Sequence, residues 1–391
     1  MLQDLDHLMK ARGIGAVIIP MHEAMHASFR WLTRGAKVTR GYVVKAAGRD
    51  PFLIAYPMER EEAAATGIAV RGIHEFEYEQ IFREANDPIA AYAAFFGVVL
   101  RENGAKGPVA FFGNAPLHLY LGIAELLVRN GHPVVRGPVD DLIQLARKRK
   151  EAWEIEAIRA TGERTERVVE EVRTMLRSWH ADLRIGDLKE LVTREITRHG
   201  LIEDHETIVS HGRDAGIPHS RGDAGQRIRP SVPIVIDIFP ADRSTGYFFD
   251  LTRTFCVGPI PDELRLIHAD VLAAYRLARD GMRPGLAAAA SQALVCDFFE
   301  RKGYATTRSN PLTTDGYVHS LGHGVGLDIH EKPSFSLNPS NDDTIEEGDV
   351  LTIEPGLYFP EREIGVRIED TFVVRADGVE SLSVSRRDLE P

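Results

Sequence analysis

Cysteine is nearly missing. Cys256 and Cys296 are the only two in 391 residues, and neither belongs to a C-x-x-C pair. A disulfide framework and a thioredoxin-like redox motif are therefore excluded, and a reducing compartment fits. Positive charge is also short: 47 lysines and arginines stand against 58 acids, a formal net charge of −11. That argues against nucleic acid or an anionic membrane as a general partner. Long hydrophobic runs are absent as well. The longest, "AAYAAFFGVVL" from Ala90 to Leu100, is too short to span a bilayer. The first residues, "MLQDLDHLMKARGIGAVIIP", carry acids early and lack the apolar centre of a signal peptide. No Walker loop occurs, and "GHGVG" at 322–326 lacks the strand-then-helix setting of a dinucleotide fingerprint. These absences lead to the expectation of a soluble, cytoplasmic protein.

What is present fits a globular enzyme. The chain is 43% hydrophobic without low-complexity tracts, and its length favours two domains over one. Residues 2–12 have helical spacing. "AVII", "GYVVKA", "PFLIAY" and "PVAFFG" read as strands, the second and third as a pair. "DPIAAYAAFFGVVLRENG" reads as a helix opened by an acid and closed by glycine. This alternation predicts an α/β N-terminal domain over 1–145. A long, charged helical stretch beginning "LIQLARKRKEAWEIEAI" follows, read as a solvated linker helix at the boundary. Residues 146–391 mix helices with short apolar strands in no βαβ rhythm, which predicts an α+β domain with an antiparallel sheet.

One motif invites a quick answer. His22, Glu23 and His26 in "MHEAMHASFRWLTRG" spell H-E-x-x-H, the zinc signature of a metalloprotease helix. A zinc site of that kind needs a third ligand from a fitting downstream segment, and nothing after His26 supplies one. The expectation is that the match is a coincidence on a helix or loop of the N-terminal domain.

The more informative acids lie in apolar runs. Asp237 stands in "VPIVIDIFP", Asp250 in "GYFFDLTRTF", Glu354 in "DVLTIEPGLYF" and Glu369 in "GVRIEDTFVV". Each run reads as a largely buried strand. A buried carboxylate costs on the order of several kcal/mol unless it is paired or binds metal. Arg253 and Arg367 are close in sequence but cannot cover four acids, and strand alternation puts Arg253 across the pleat from Asp250. By the same alternation Glu369 and Asp370 point to opposite faces, so one can face inward while the other meets solvent. A pair of divalent cations answers the charge economically. Bridging carboxylates can hold two metals about 3.5–4 Å apart, polarise a carbonyl and generate a nucleophile near neutral pH. The imidazole that such sites commonly add has candidates in "HSLGHGVGLDIHE": His319, His323 and His330. Glycines beside His323 allow close backbone approach. His219 in "GRDAGIPHS" is a fourth candidate.

In this order, "GRDAGIPHS", "VIDIFP…TGYFFDLTRTF", "HSLGHGVGLDIHE", "VLTIEPGLYF" and "GVRIEDTFVV" resemble the dinuclear metallopeptidases of the creatinase/aminopeptidase P/prolidase group. The strong resemblance covers about 145–391. "FRWLTRG" is a fair version of a segment that members carry after their first strand. The resemblance implies an α+β pita-bread catalytic domain behind a smaller α/β domain. It implies five metal ligands: Asp237 on one ion, His323 and Glu354 on the other, Asp250 and Glu369 bridging. A hydroxide between the ions would attack the scissile carbonyl, with Glu354 shuttling its proton. His219 and His330 would hold the substrate carbonyl and stabilise the oxyanion. His319 would line the proline pocket, and Arg367 would stand near the substrate or behind the ligands. The oxygen-rich set points to manganese, with cobalt or zinc as alternatives. A homodimer is implied by the family alone. Members usually place the two aspartates closer together, whereas here they are two residues further apart, with "PADRSTG" as a longer hairpin loop. A strand period of two lets a hairpin absorb two residues without turning either acid. Asp242 in that loop is read as a turn residue, not a ligand.

The implied activity is metal-dependent hydrolysis of the bond before proline, foremost in Xaa-Pro dipeptides. A dipeptidase needs a cation for the free carboxylate, and Arg30, Arg34 or Arg40 of the N-terminal domain could supply one, with Arg34 foremost. An Xaa-Pro aminopeptidase acting on longer peptides is the alternative, together with a fold relative that runs lyase or other chemistry. A binding module without catalysis would be expected to lose ligands, and this chain carries all five.

Overall fold

Short apolar runs become strands here, and the amphipathic stretches become helices. The computed structural model describes residues 2–135 and 141–391. The chain divides into two units, Met1–Arg147 and Lys148–Pro391.

The first unit runs α1 (Leu2–Ala11), β1 (Ala16–His22), α2 (Ala27–Thr33), β2 (Arg40–Ala46), β3 (Phe52–Ala55), α3 (Arg60–Ala64), β4 (Ala69–Gly72), α4 (Tyr78–Glu84), α5 (Pro88–Glu102), β5 (Val109–Phe111), α6 (Leu117–Arg129) and α7 (Leu142–Ala146). Its sheet has the order β4-β3-β2-β1-β5. The β1–β2 and β2–β3 pairs are antiparallel, and the outer pairs are parallel. Helix α5 starts where the sequence says it should. Asp87 accepts from the Ala90 N–H and Pro88 takes the first turn, where a missing N–H costs nothing. Its Phe95, Phe96 and Val99 join Ile18, Val44 and Ile54 of the sheet in one core.

The H-E-x-x-H residues do not share a helix. His22 ends β1, Glu23 has φ +62°, and His26 is the N-cap of α2, accepting from the Phe29 N–H. His22 Nε2 lies 3.2 Å from the Tyr120 hydroxyl, and His26 Nε2 donates to the Pro20 carbonyl at 2.8 Å. Arg34 closes α2 in the left-handed conformation and is exposed, and Arg40 lies 3.6 Å from Glu23.

The second unit begins with α8 (Ala152–Arg177) and α9 (Ile185–Arg198). Strands β6 (Leu201–Ile202), β7 (Ile208–His211), β8 (Pro233–Ile238), β9 (Ala241–Asp242) and β10 (Leu251–Cys256) follow, then α10 (Asp262–Gly281) and α11 (Ala288–Arg301). The last stretch contains β11 (His323–Gly324), β12 (Glu331–Ser334), β13 (Val350–Ile353), β14 (Gly356–Phe359), β15 (Ile364–Arg367), β16 (Asp370–Arg375) and β17 (Gly378–Ser381). All of its strand pairs are antiparallel: a β10-β8-β7 sheet, a β12-β11-β13-β16-β17 sheet, and the pairs β14–β15 and β6–β9. Helices α10 and α11 bury Ile267, Val271, Val295 and Phe299 against Leu351, Ile353, Val366 and Phe372.

One expectation is overturned. Helix α8 is no solvated linker but part of the second unit. Ile155, Ile158, Thr165, Val168, Val172 and Leu176 are all buried, at the three- and four-residue spacing of a single helix face. Its many charges occupy the outer face and obscure that stripe in the composition.

Candidate metal centre

Asp237 and Asp250 come from one hairpin. In the β8–β10 ladder Thr252 is directly opposite Asp237, and Asp250 lies two residues before Thr252. A strand's side chains alternate, so Asp237, Thr252 and Asp250 share a face despite the long loop between the acids. Of the four acids expected inside strands, Asp237 alone is, in β8; the other three stand just outside one. Asp250 precedes β10, Glu354 follows β13, and Glu369 lies between β15 and β16. At a strand end the ladder stops, and a side chain can turn toward a neighbouring sheet.

His323 arrives on β11 from that second sheet. Its two flanking glycines are required by backbone contact: a Cβ on Gly322 would meet the Thr352 carbonyl oxygen at 2.2 Å, and one on Gly324 the Lys332 carbonyl oxygen at 2.0 Å. His323 Nδ1 lies 3.0 Å from the Gly324 carbonyl, which can only accept, so Nδ1 carries the hydrogen. In a neutral ring, the form that ligates metal, Nε2 is then a lone pair, and it faces Asp250 Oδ2 at 3.5 Å and Glu354 Oε1 at 3.6 Å. Lone pair against carboxylate is repulsive unless a cation or a proton lies between them. Ligand atoms of Asp250, His323 and Glu369 all fall within 4.8 Å of one another.

The electrostatics point the same way. Burial first, then the charges of Asp237 and Glu354, push the Asp250 carboxyl well above the usual range. Burial, Asp250 and Glu354 do the same to Glu369. Glu354 is raised by burial, against the pull of His323 and Arg367. Asp237 Oδ1, Asp250 Oδ1 and Glu369 Oε1 are buried and have no hydrogen-bond partner among the described residues. Buried anionic oxygens left bare are costly, and bare oxygens beside an imidazole lone pair are the donor set a divalent ion takes. The residues present fit the implied metals.

Arg367 backs the site. Its Nη2 donates to Asp237 Oδ2 at 2.6 Å, and its Nη1 to the Tyr358 hydroxyl at 2.8 Å and the Pro218 carbonyl at 3.2 Å. Nδ1 of His319 lies 2.7 Å from the Ser320 carbonyl, so Nε2, 2.8 Å from Tyr358, accepts the tyrosine's hydrogen. Burial holds His319 down to about 3, so it is neutral and offers its ring surface. The ring of His330 crosses that of His323 with centroids 4.3 Å apart, and burial above all lowers its pKa to about 4. His219 is exposed, next to the Pro218 carbonyl that Arg367 holds.

Two neighbouring acids are accounted for differently. Asp370 does not meet solvent, contrary to the alternation argument. It is fully buried, and although burial opposes its charge, Arg253 and Arg387 hold its carboxyl below the usual range. Asp242 is buried too, with Oδ1 accepting from Ser244 and Thr245 and Oδ2 from Arg164. Both of its oxygens are used.

The sequence reading passed over Thr252, Thr352, Thr371, Tyr358 and Gln292. The three threonines are fully buried on the faces that carry the acids. The signal was available: a polar residue spaced evenly from an acid within an apolar run.

The pattern of metallopeptidase family M24 matches residues 156–376. An Xaa-Pro dipeptidase of Pyrococcus furiosus is 28% identical over 327 residues, covering 81% of this chain and 85% of that protein. Among solved structures, the Xaa-Pro dipeptidase from Bacillus anthracis matches with a TM-score of 0.80 at 24% identity over 99% of both chains. The X-Pro aminopeptidase from Thermotoga maritima MSB8 matches with 0.77 at 24% identity, over 98% of this chain and 99% of that one. The architecture is the α+β pita-bread fold that the sequence motifs imply.

Proposed function

The chain belongs to metallopeptidase family M24, and from that premise we propose that it hydrolyses the peptide bond before proline in Xaa-Pro dipeptides. The observation that carries the reading is the set of bare, buried carboxylate oxygens around the His323 lone pair. The Pyrococcus furiosus relative, an Xaa-Pro dipeptidase, supports the substrate class.

Asp237, Asp250, His323, Glu354 and Glu369 would hold two divalent ions, manganese first given the four carboxylates, with cobalt or zinc as alternatives. Bound there, the ions would polarise the scissile carbonyl and lower the pKa of water. The chain's own groups do the rest. Glu354, raised by burial, takes up and returns a proton at its carboxylate. His219 and His330 donate to the carbonyl oxygen as it gains charge. His319 presents an apolar ring wall to proline. Arg367 fixes Asp237 and, through Tyr358, His319.

The two cysteines are unpaired and buried, and no helix of the described residues is long and apolar enough to cross a membrane. The free thiols support the cytoplasm as the site of action. Leu117, Leu121 and Val128 are exposed on one face of α6, an apolar stripe that supports a homodimer.

The test is an assay of Xaa-Pro dipeptides beside Xaa-Pro tripeptides with Mn²⁺ present. Dipeptide cleavage is expected. Activity on tripeptides alone would replace this reading with an aminopeptidase.

A further inference from the structure

Each proposed ligand has one oxygen tied by the protein or one backbone group held by it, and the three buried threonines do different parts of this work. Thr371 exchanges hydrogen bonds with the Asp250 main chain, at 2.9 Å to its carbonyl and 3.2 Å from its N–H. Thr352 accepts from the His323 N–H at 3.1 Å. Both therefore hold backbone, and Thr352 also bonds the Glu354 side chain. Thr252 holds a ligand atom of Glu369: its hydroxyl donates to Glu369 Oε2 at 2.6 Å.

The direction of that bond is forced. Arg367 Nε donates to the same hydroxyl at 3.1 Å, and a guanidinium can only donate. The hydroxyl hydrogen must go elsewhere, and the Glu369 carboxylate is the acceptor in reach. Glu369 Oε2 is thereby tethered while Oε1 stays bare. Asp237 shows the same division, with Oδ2 tethered by Arg367 and Oδ1 bare. Thr252 faces Asp237 across the ladder, so one hydroxyl joins the two tethers into a single unit, Asp237–Arg367–Thr252–Glu369. All four members are buried.

We propose that Thr252 is a positioning residue for the metal pair, its hydroxyl fixing the orientation in which the Glu369 carboxylate is offered to the ions. The inference rests on the ligand set proposed above. Removing the hydroxyl frees the Glu369 carboxylate to rotate and leaves Arg367 Nε without its acceptor. Groups behind a metal ligand typically set affinity by about 10–100-fold.

The full chain is stripped with a chelator and titrated with Mn²⁺ alone by calorimetry, as wild type, Thr252→Val and Thr252→Ser. Valine keeps the shape and removes the hydroxyl, and serine restores it. Two ions are expected on the wild type, a loss of about 10–100-fold in affinity for Thr252→Val, and near wild-type binding for Thr252→Ser. Melting of the metal-free forms checks that the variants are folded. If Thr252→Val does not fold, Thr252→Ala is read in the same way. Wild-type Mn²⁺ affinity in a folded Thr252→Val or Thr252→Ala, or an equal loss in Thr252→Ser, overturns the assignment of the hydroxyl while leaving the ligand set intact. A wild type that binds no Mn²⁺ overturns the ligand set and the Thr252 assignment with it.

Discussion

His211 is buried with both ring nitrogens engaged. Nε2 accepts from the Arg229 N–H at 2.9 Å, so Nδ1 donates to the Pro233 carbonyl at 3.0 Å. That arrangement requires a neutral ring, and burial above all lowers its pKa. A depressed histidine pKa means that the unfolded chain binds the proton more readily. The stabilising contribution is full above the unfolded value of about 6.5 and is lost as pH falls toward the folded value. Replacing His211 with uncharged Gln should narrow the gap between melting temperatures at pH 7.5 and pH 5.5, because one group no longer takes up a proton on unfolding. Differential scanning calorimetry at the two pH values reads this directly. Glu369 and Asp370 make the complementary point. They are consecutive and both buried, yet Asp370 is neutralised by Arg253 and Arg387 while Glu369 keeps an oxygen bare. Burial alone did not distinguish them; their partners did.

At the scale of elements, Gln292 on α11 shows how a helix reaches a site it does not line. Its Oε1 accepts from the Tyr317 hydroxyl at 2.9 Å and the Leu321 N–H at 2.5 Å, and its Nε2 donates to the His319 carbonyl at 3.4 Å. The Leu321 carbonyl in turn accepts from the Glu354 N–H. Gln292→Leu would strand buried donors on Tyr317 and Leu321, at about 1–3 kcal/mol of stability. It should also raise KM for an Xaa-Pro dipeptide more than it lowers kcat, since the segment it holds carries His319. Steady-state kinetics beside thermal melting separates the two effects. Much at this scale was legible in the sequence. Asp87 and Pro88 announce α5, and apolar runs announce β8 and β13. Candidate ligands were legible because acids in apolar runs are rare and costly. What could not be read was where the ladders stop. Three acids sit just beyond a strand end, and that depends on which strands pair. The burial of α8 was masked because its outer face holds so many charges. The supporting threonines were masked because a hydroxyl in an apolar run costs little enough to pass as ordinary.

Across the whole molecule, the proposed ligands come from separate ladders. Asp237 and Asp250 belong to the β10-β8-β7 hairpin, while His323 and Glu354 belong to the β12-β11-β13-β16-β17 sheet. Glu369 stands at the entry to β16, and its N–H donates to the Thr252 carbonyl at 3.2 Å. Ions shared among these side chains would add rivets to two sheets already joined by the Thr371–Asp250 and Arg253–Asp370 bonds. Stripped protein should then melt at a lower temperature than loaded protein. Hydrogen exchange would show this as a lower opening free energy for amides of β8, β10, β13 and β16 after chelation than with Mn²⁺ present. The placement of acids at strand ends thus ties catalysis to mechanical strength: the supply of metal would set how firmly the two sheets stay clamped.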